Sequence, residues 1–209
     1  MNGKIPLEIT EGFLVKWNRK YGVADGICVF VLERNGILMF ERGDYVIYGT
    51  SGVCKVEDVT TMNMKDVPRD RLFYVLAPSS QKGGRIFTPV DSQKTQMRRI
   101  LNREEAIRLI DQIPGIEELW ITNEKQREEN YKACMKSCDC REWIRIIKTL
   151  YLRKMERSAQ GKKITATDEK YLRMAEDYLY SELEIPLEIP KEKMEQYITE
   201  RIAQSGENR

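Results

Sequence analysis

The chain has 209 residues, 41% hydrophobic and 33% charged, with a net charge of +2 and no histidine. That balance fits one ordinary folded domain or two small ones and excludes a disordered or low-complexity chain. Lack of histidine removes the commonest general base and metal ligand, and no apolar run approaches the roughly 20 residues that cross a bilayer.

Residues 1–38 fit no clear element and read as an N-terminal extension. The codons of Glu33-Arg34-Asn35-Gly36 can spell a purine-rich ribosome-binding sequence ahead of Met39, so a translated leader is the preferred reading. The alternative is a hairpin of Ile27–Leu32 and Ile37–Phe40 about an Asn35-Gly36 turn.

Residues 39–95 read as β structure. Tyr45-Val46-Ile47-Tyr48 is a strand-like run ending at Gly49, and Val53 to Val59 follows the Ser51-Gly52 turn. Pro68 breaks the chain before Leu72–Leu76, and Lys82-Gly83-Gly84 is a hairpin signal before Arg85–Thr88. Several short strands without intervening helices predict a Tudor- or SH3-like small β-barrel.

Residues 96–209 change period. Asn102 caps a helix through Ala106, Ile107 and Ile110 that Pro114-Gly115 ends. A second helix is predicted from Asn123 to Lys136. A third begins near Asp139 and carries Trp143, Ile146, Ile147 and Leu150 as an apolar stripe. Thr165 and Asp168 form a capping-box variant before a fourth helix through Leu172, Ala175, Leu179 and Leu183. Pro186 and Pro190 are expected to separate it from a short acidic last helix. The fold class is therefore α+β, a small barrel followed by an all-α domain.

Charge is unevenly spread. Lys125 to Arg173 holds fourteen Lys/Arg against seven Asp/Glu, whereas Met174 to Arg209 holds four against nine. A basic block ahead of an acidic tail points to an anionic partner better than the net charge does, although solvated helix faces give the same count. Arg141, Arg145 and Lys148 fall within about 60° of one another on a helical wheel. Arg153, Lys154, Arg157, Lys162 and Lys163 extend that surface towards Lys170 and Arg173. Four to six phosphate contacts give a salt slope of about −4 to −5. No side-chain set suggests base readout, so DNA binding is expected to follow shape.

The five cysteines, Cys28, Cys54, Cys134, Cys138 and Cys140, are odd in number and irregularly spaced, which favours a reducing cytoplasm over a disulfide framework. Cys134-x3-Cys138-x-Cys140 lacks a clear fourth ligand for tetrahedral zinc, and cysteine is commonly a small buried hydrophobe, so neither metal nor cofactor is expected. No phosphate loop, dinucleotide fingerprint or nucleophile elbow is present, and no carboxylates form an acid/base pair, so an enzyme is not expected. Trp143 reads as core. Trp120 reads as a core anchor beside Leu119 and Ile121, the alternative being an exposed wedge against unpaired DNA.

Phe40-Glu41-Arg42-Gly43-Asp44-Tyr45-Val46-Ile47-Tyr48-Gly49 with Gly52-Val53 resembles the start of CarD/CdnL transcription regulators. Asn130-Tyr131-Lys132, Arg153-Lys154-x-Glu156-Arg157 and Ile164-Thr165-x-x-Asp168-Glu169-Lys170 resemble their helical domain, so the likeness runs from Met39 to about Leu187. The resemblance implies a Tudor-like module, shared with transcription-repair coupling factors, that joins its edge strand to the RNA polymerase β subunit. It also implies that the helices lie on promoter double-stranded DNA at the upstream fork of the bubble and stabilise the open complex at ribosomal RNA and other housekeeping promoters. The DNA-facing set would be Arg127, Lys132, Arg141, Arg145, Lys148, Arg153, Lys154, Lys162, Lys163 and Lys170.

Two departures qualify that transfer. Arg127 stands where many members place a tryptophan, and Glu129 and Asn130 replace two arginines. The polymerase-facing arginines fall near Met62 and Phe87, so contact would be more apolar, through Met62, Met64, Arg85 and Phe87. The expected protein is a monomer in the cytoplasm without membrane contact. The rival readings are a free-standing architectural DNA-binding protein and a metal-dependent nuclease built on the Cys/Asp cluster.

Overall fold

The structure, a computed structural model, describes residues 40–63, 68–81, 83–121 and 124–207, and before them four two-residue strands. These are β1 (Ile9–Thr10) paired with β2 (Phe13–Leu14), and β3 (Glu33–Arg34) paired with β4 (Ile37–Leu38), where Arg34 lies opposite Ile37. The remainder of the extension, and with it the leader reading, falls outside the described residues.

A curved antiparallel sheet follows, built from β5 (Tyr45–Tyr48), β6 (Val53–Thr61), β7 (Leu72–Pro78), β8 (Ile86–Pro89) and β9 (Met97–Arg99), in the order β8-β7-β6-β5-β9. Glu41-Arg42-Gly43-Asp44 opens it as a tight turn. The Asp44 amide bonds the Glu41 carbonyl at 3.1 Å, and Gly43 takes φ +103°, a conformation that suits a residue without Cβ. The Tyr74 hydroxyl accepts from the Phe40 amide at 2.9 Å, so a buried tyrosine ties the chain entry to β7. β6 bulges between Val56 and Asp58, which bends the sheet. β9 was not legible in the sequence; it closes on β5 with Ile47 opposite Arg98.

Five α-helices complete the described chain: α1 (Arg103–Gln112), α2 (Arg127–Lys136), α3 (Cys140–Ala159), α4 (Ala166–Leu187) and α5 (Lys191–Glu207). Their starts follow from local chemistry. Asn102 and Glu105 form a full capping box, Asp139 accepts from the Arg141 amide at 2.8 Å, and Thr165 accepts from the Asp168 amide at 3.1 Å. Pro186 does not end α4, contrary to the sequence expectation. It lies in the last turn, and the helix stops two residues later at Glu188 in the left-handed conformation. α5 is also longer than expected, and it is packed rather than a loose tail: Met194 is buried, and Arg201 grips Asp111 of α1 at 2.7 and 2.8 Å.

Period-two alternation along β5 and β6 gives each strand two buried faces. Val46, Cys54 and Val56 point into the core of the β domain with Phe40, Tyr74 and Leu76. Ile47 and Val53 point the other way, into the helical core of Trp143, Ile146, Leu150 and Leu183. Each fully buried aliphatic side chain contributes about 1.5–3 kcal/mol, so the helices stabilise the sheet as well as follow it.

Candidate functional site

Two surfaces carry the sequence-predicted residues. On the β domain, β8 pairs among the described residues with β7 alone, so its other side is an open edge of the five-stranded sheet as described. Phe87, on this strand, is 50% exposed although it lies opposite the buried Val75. Beside it Arg85 reaches Glu57 at 2.7 Å, across a shallow groove that Arg42 and Lys55 also line. An open edge offers backbone hydrogen bonds, and a lone aromatic gives a partner strand an anchor. Met62 follows the end of β6, about four residue steps from Phe87 along the sheet, or roughly 13 Å; it does not share the Phe87 groove. Met64 lies outside the described residues.

On the helical domain the cations divide into two groups. Several turn towards protein. Arg127 Nε lies 3.2 Å and Arg153 Nε 3.7 Å from the carboxylate of Asp168, which is fully buried with the Tyr131 hydroxyl 3.4 Å away. Lys148 donates to the carbonyls of Ile113 and Pro114 at 3.2 and 3.4 Å and to that of Ile116, clasping the turn that follows α1. Arg141 donates to Gln112, Arg145 pairs with Glu142 at 3.0 Å, and Lys132 pairs with Glu129 at 2.8 Å.

A second group faces solvent. Lys154, Lys162, Lys163 and Lys170 are exposed and make no ion pair with a described carboxylate. They gather at the end of α3, in the turn after it and in the first turns of α4. Arg157 shapes that turn by donating to the Lys163 carbonyl at 2.8 Å, and Gly161 takes φ +68° within it. Because most local carboxylates are already paired or capping, the surplus positive charge concentrates here.

The same end of α3 exposes Tyr151, Leu152 and Met155. Trp120, expected in the core, is instead 86% exposed, and Leu119 takes the inward position against the helical core. The Leu119 amide donates to the Thr149 hydroxyl at 2.8 Å, which anchors the residue before Trp120 to α3. The acidic pair Glu117-Glu118 ahead of Trp120 was the available sequence signal for a surface segment. Trp143 is fully buried, as expected.

The thiols are held separately. Cys134 donates to Glu142 at 3.1 Å, Cys140 to Glu182 at 3.0 Å, and Cys138 approaches the Gly49 carbonyl at 3.7 Å. Burial pushes the Cys54 thiol up to about 11, and burial with the nearby Glu142 carboxylate pushes Cys134 up to about 12. Among the described residues no group of three or more acidic, cysteine or histidine side chains is placed to hold a metal ion.

Residues 40–101 match the model of the CarD-like/TRCF RID domain, and residues 115–199 match that of the CarD C-terminal domain. The chain belongs to the CarD family. The first match takes in the whole five-stranded sheet including β9, and the second runs from before Trp120 into α5. CarD-type domains mark a non-enzymatic transcription-factor family, and this member is an RNA-polymerase-interacting transcription regulator with a Tudor-like β domain and a helical domain. No curated protein matches the chain significantly. No described helix is long and apolar enough to cross a membrane.

Proposed function

We propose that this regulator binds the polymerase β subunit through the β8 edge and Phe87, and meets promoter DNA beside the upstream edge of the bubble through the α3–α4 surface. The observation that carries the DNA half is the exposed Trp120, whose neighbour Leu119 is bonded to Thr149 of α3, together with the exposed lysines at the end of that helix. Lys154, Lys162, Lys163 and Lys170 would take phosphates, with Lys132, Arg141 and Arg145 along the rim. Arg127, Arg153 and Lys148 shape that surface from behind, through Asp168 and the carbonyls of the turn after α1. Phosphate contacts position a protein without reading sequence, while an aromatic side chain stacks on any unpaired base. Trp120 thereby serves the aromatic role for which the resemblance pointed to position 127.

Acting as a monomer in the cytoplasm, the protein would hold the melted promoter open at ribosomal RNA and other housekeeping promoters. Linking a polymerase contact to a DNA contact raises the effective concentration of the second once the first is made. The test is the lifetime of open complexes on a ribosomal promoter with and without the full chain. A longer lifetime, lost when Phe87→Ala removes the strand anchor, is expected. An unchanged lifetime with DNA affinity indifferent to polymerase would leave a free-standing architectural DNA-binding protein.

A further inference from the structure

The β domain and the helical domain meet at a buried polar joint, at the sheet edge opposite β8. Arg98 of β9 places Nη1 2.6 Å and Nη2 2.8 Å from the two carboxylate oxygens of Glu182 on α4, a forked pair whose acid is fully buried. Arg98 also donates through Nε to the Cys138 carbonyl at 2.5 Å, and its guanidinium lies 5.7 Å from the Trp143 ring centre. Glu182 accepts in addition from the Leu101 amide at 3.0 Å and the Cys140 thiol at 3.0 Å. Nearby, Tyr178 of α4 bonds the Thr50 carbonyl, and its ring would lie 3.4 Å from any Cβ placed on Gly52.

The apolar part of this joint, Ile47 and Val53 against the helical core, holds the halves together but is not directional. A buried ion pair adds little net stability, because desolvation offsets its attraction, yet its bonds are satisfied at only one angle. We infer that Arg98 and Glu182 are positioning residues that fix the orientation of the polymerase-facing edge relative to the DNA-facing surface. That orientation makes the two contacts simultaneous rather than alternative. The consequence for open complexes rests on the proposed function; the orientation itself does not.

The test uses the full chain with Arg98→Lys, which keeps the charge and loses the fork, and Glu182→Gln, which keeps the shape and loses the charge. Residual dipolar couplings of backbone amides read the geometry without any ligand. In the unsubstituted protein the β domain and the helical domain should fit one alignment tensor; in either variant they should need two. Separate affinities for polymerase and for promoter DNA should stay within about twofold, while open-complex lifetime falls at least about tenfold. A folded variant that still fits a single tensor overturns the inference. So does failure of both variants to fold, which would make the pair a stability element. Split tensors in the variants, with no effect of the unsubstituted protein on open complexes, would instead sink the proposed function and leave the joint standing.

Discussion

The Leu119 amide bonds the Thr149 hydroxyl at 2.8 Å, so the chain leaving α1 is fastened to α3 one residue before Trp120 turns outward. Trp120→Ala is therefore expected to leave the melting transition within about 0.5 kcal/mol of the parent, as for an ordinary surface substitution. The same variant should weaken binding to bubble-containing promoter DNA by about 1–3 kcal/mol, the range for one stacked base. Thr149→Val removes the acceptor and should cost about 1–2 kcal/mol of stability, moving Trp120 without deleting it. A Trp120→Ala protein that melts several degrees early would return the residue to the core.

Asp168 is the keystone of the α2–α3–α4 junction. Its buried carboxylate faces Arg127 and Arg153 as well as the Tyr131 hydroxyl, and the Tyr131 proton is held well above its ordinary value by burial and by that carboxylate. Asp168→Asn would take the buried negative charge away from two partly buried guanidiniums, and a cost of about 3 kcal/mol is expected in a urea melt. Arg127→Ala or Arg153→Ala should lose stability along with any DNA affinity they lose. A weakened DNA complex with an unchanged urea midpoint would mean that these arginines contact phosphate directly.

How far the sequence could be read depended on the range of the interactions. The Trp143–Leu150 stripe, the Asn102 cap and the alternation in β5 are local patterns, and the helices and strands they predict are present. The Thr165–Asp168 cap was also legible, but the destination of the Asp168 side chain was not, since Arg127 and Arg153 are distant in sequence. β9 escaped because three residues, Met97-Arg98-Arg99, carry too little pattern to announce a strand. Glu182 looks like one of many acids on α4; its burial depends on Arg98, 84 positions earlier. Trp120 was misplaced because its apolar neighbours Leu119 and Ile121 suggested a core run, whereas only Leu119 and Ile121 pack on the helical core.

The capping box on α1 gives a pH prediction. Arg99 holds the Glu105 carboxyl below its ordinary value, aided by the Asn102 amide and opposed by burial. The unfolded chain then binds the proton more tightly than the folded one, so stability from this group is present above the ordinary glutamate value of about 4.3. It is lost as pH falls from there through the lower folded value. Glu105→Gln should therefore destabilise at pH 7, and the gap to the parent should narrow as melts are taken to pH values progressively below that ordinary value. Asn102→Ala should cost about 1 kcal/mol through the cap alone.

The buried thiols should be chemically quiet. Cys54 and Cys134, pushed up to about 11 and about 12, hold almost no thiolate at pH 8, and thiolate is the nucleophile. Cys138 and Cys140 are raised by burial as well. Iodoacetamide at pH 8 should leave all four unmodified in the folded protein and label all four in guanidinium, as read by peptide mass. Rapid native labelling at Cys134, the least buried of the four, would show that α2 opens away from Glu142.

The last prediction separates the two groups of cations. If Lys154, Lys162 and Lys163 meet phosphate, replacing all three with alanine should flatten the plot of log K against log salt by about 2.7, near 0.9 per contact. These side chains are exposed and unpaired with any described carboxylate, so the melting point should hardly move. Replacing Arg141, Arg145 and Lys148 should behave differently. That set would lose the Lys148 bonds to the turn after α1 and the Arg145–Glu142 pair, so it should lower stability by about 1–3 kcal/mol, with a smaller change in salt slope. If the second set flattens the slope more than the first, the DNA track runs along the opening turns of α3, and Trp120 is not at its centre.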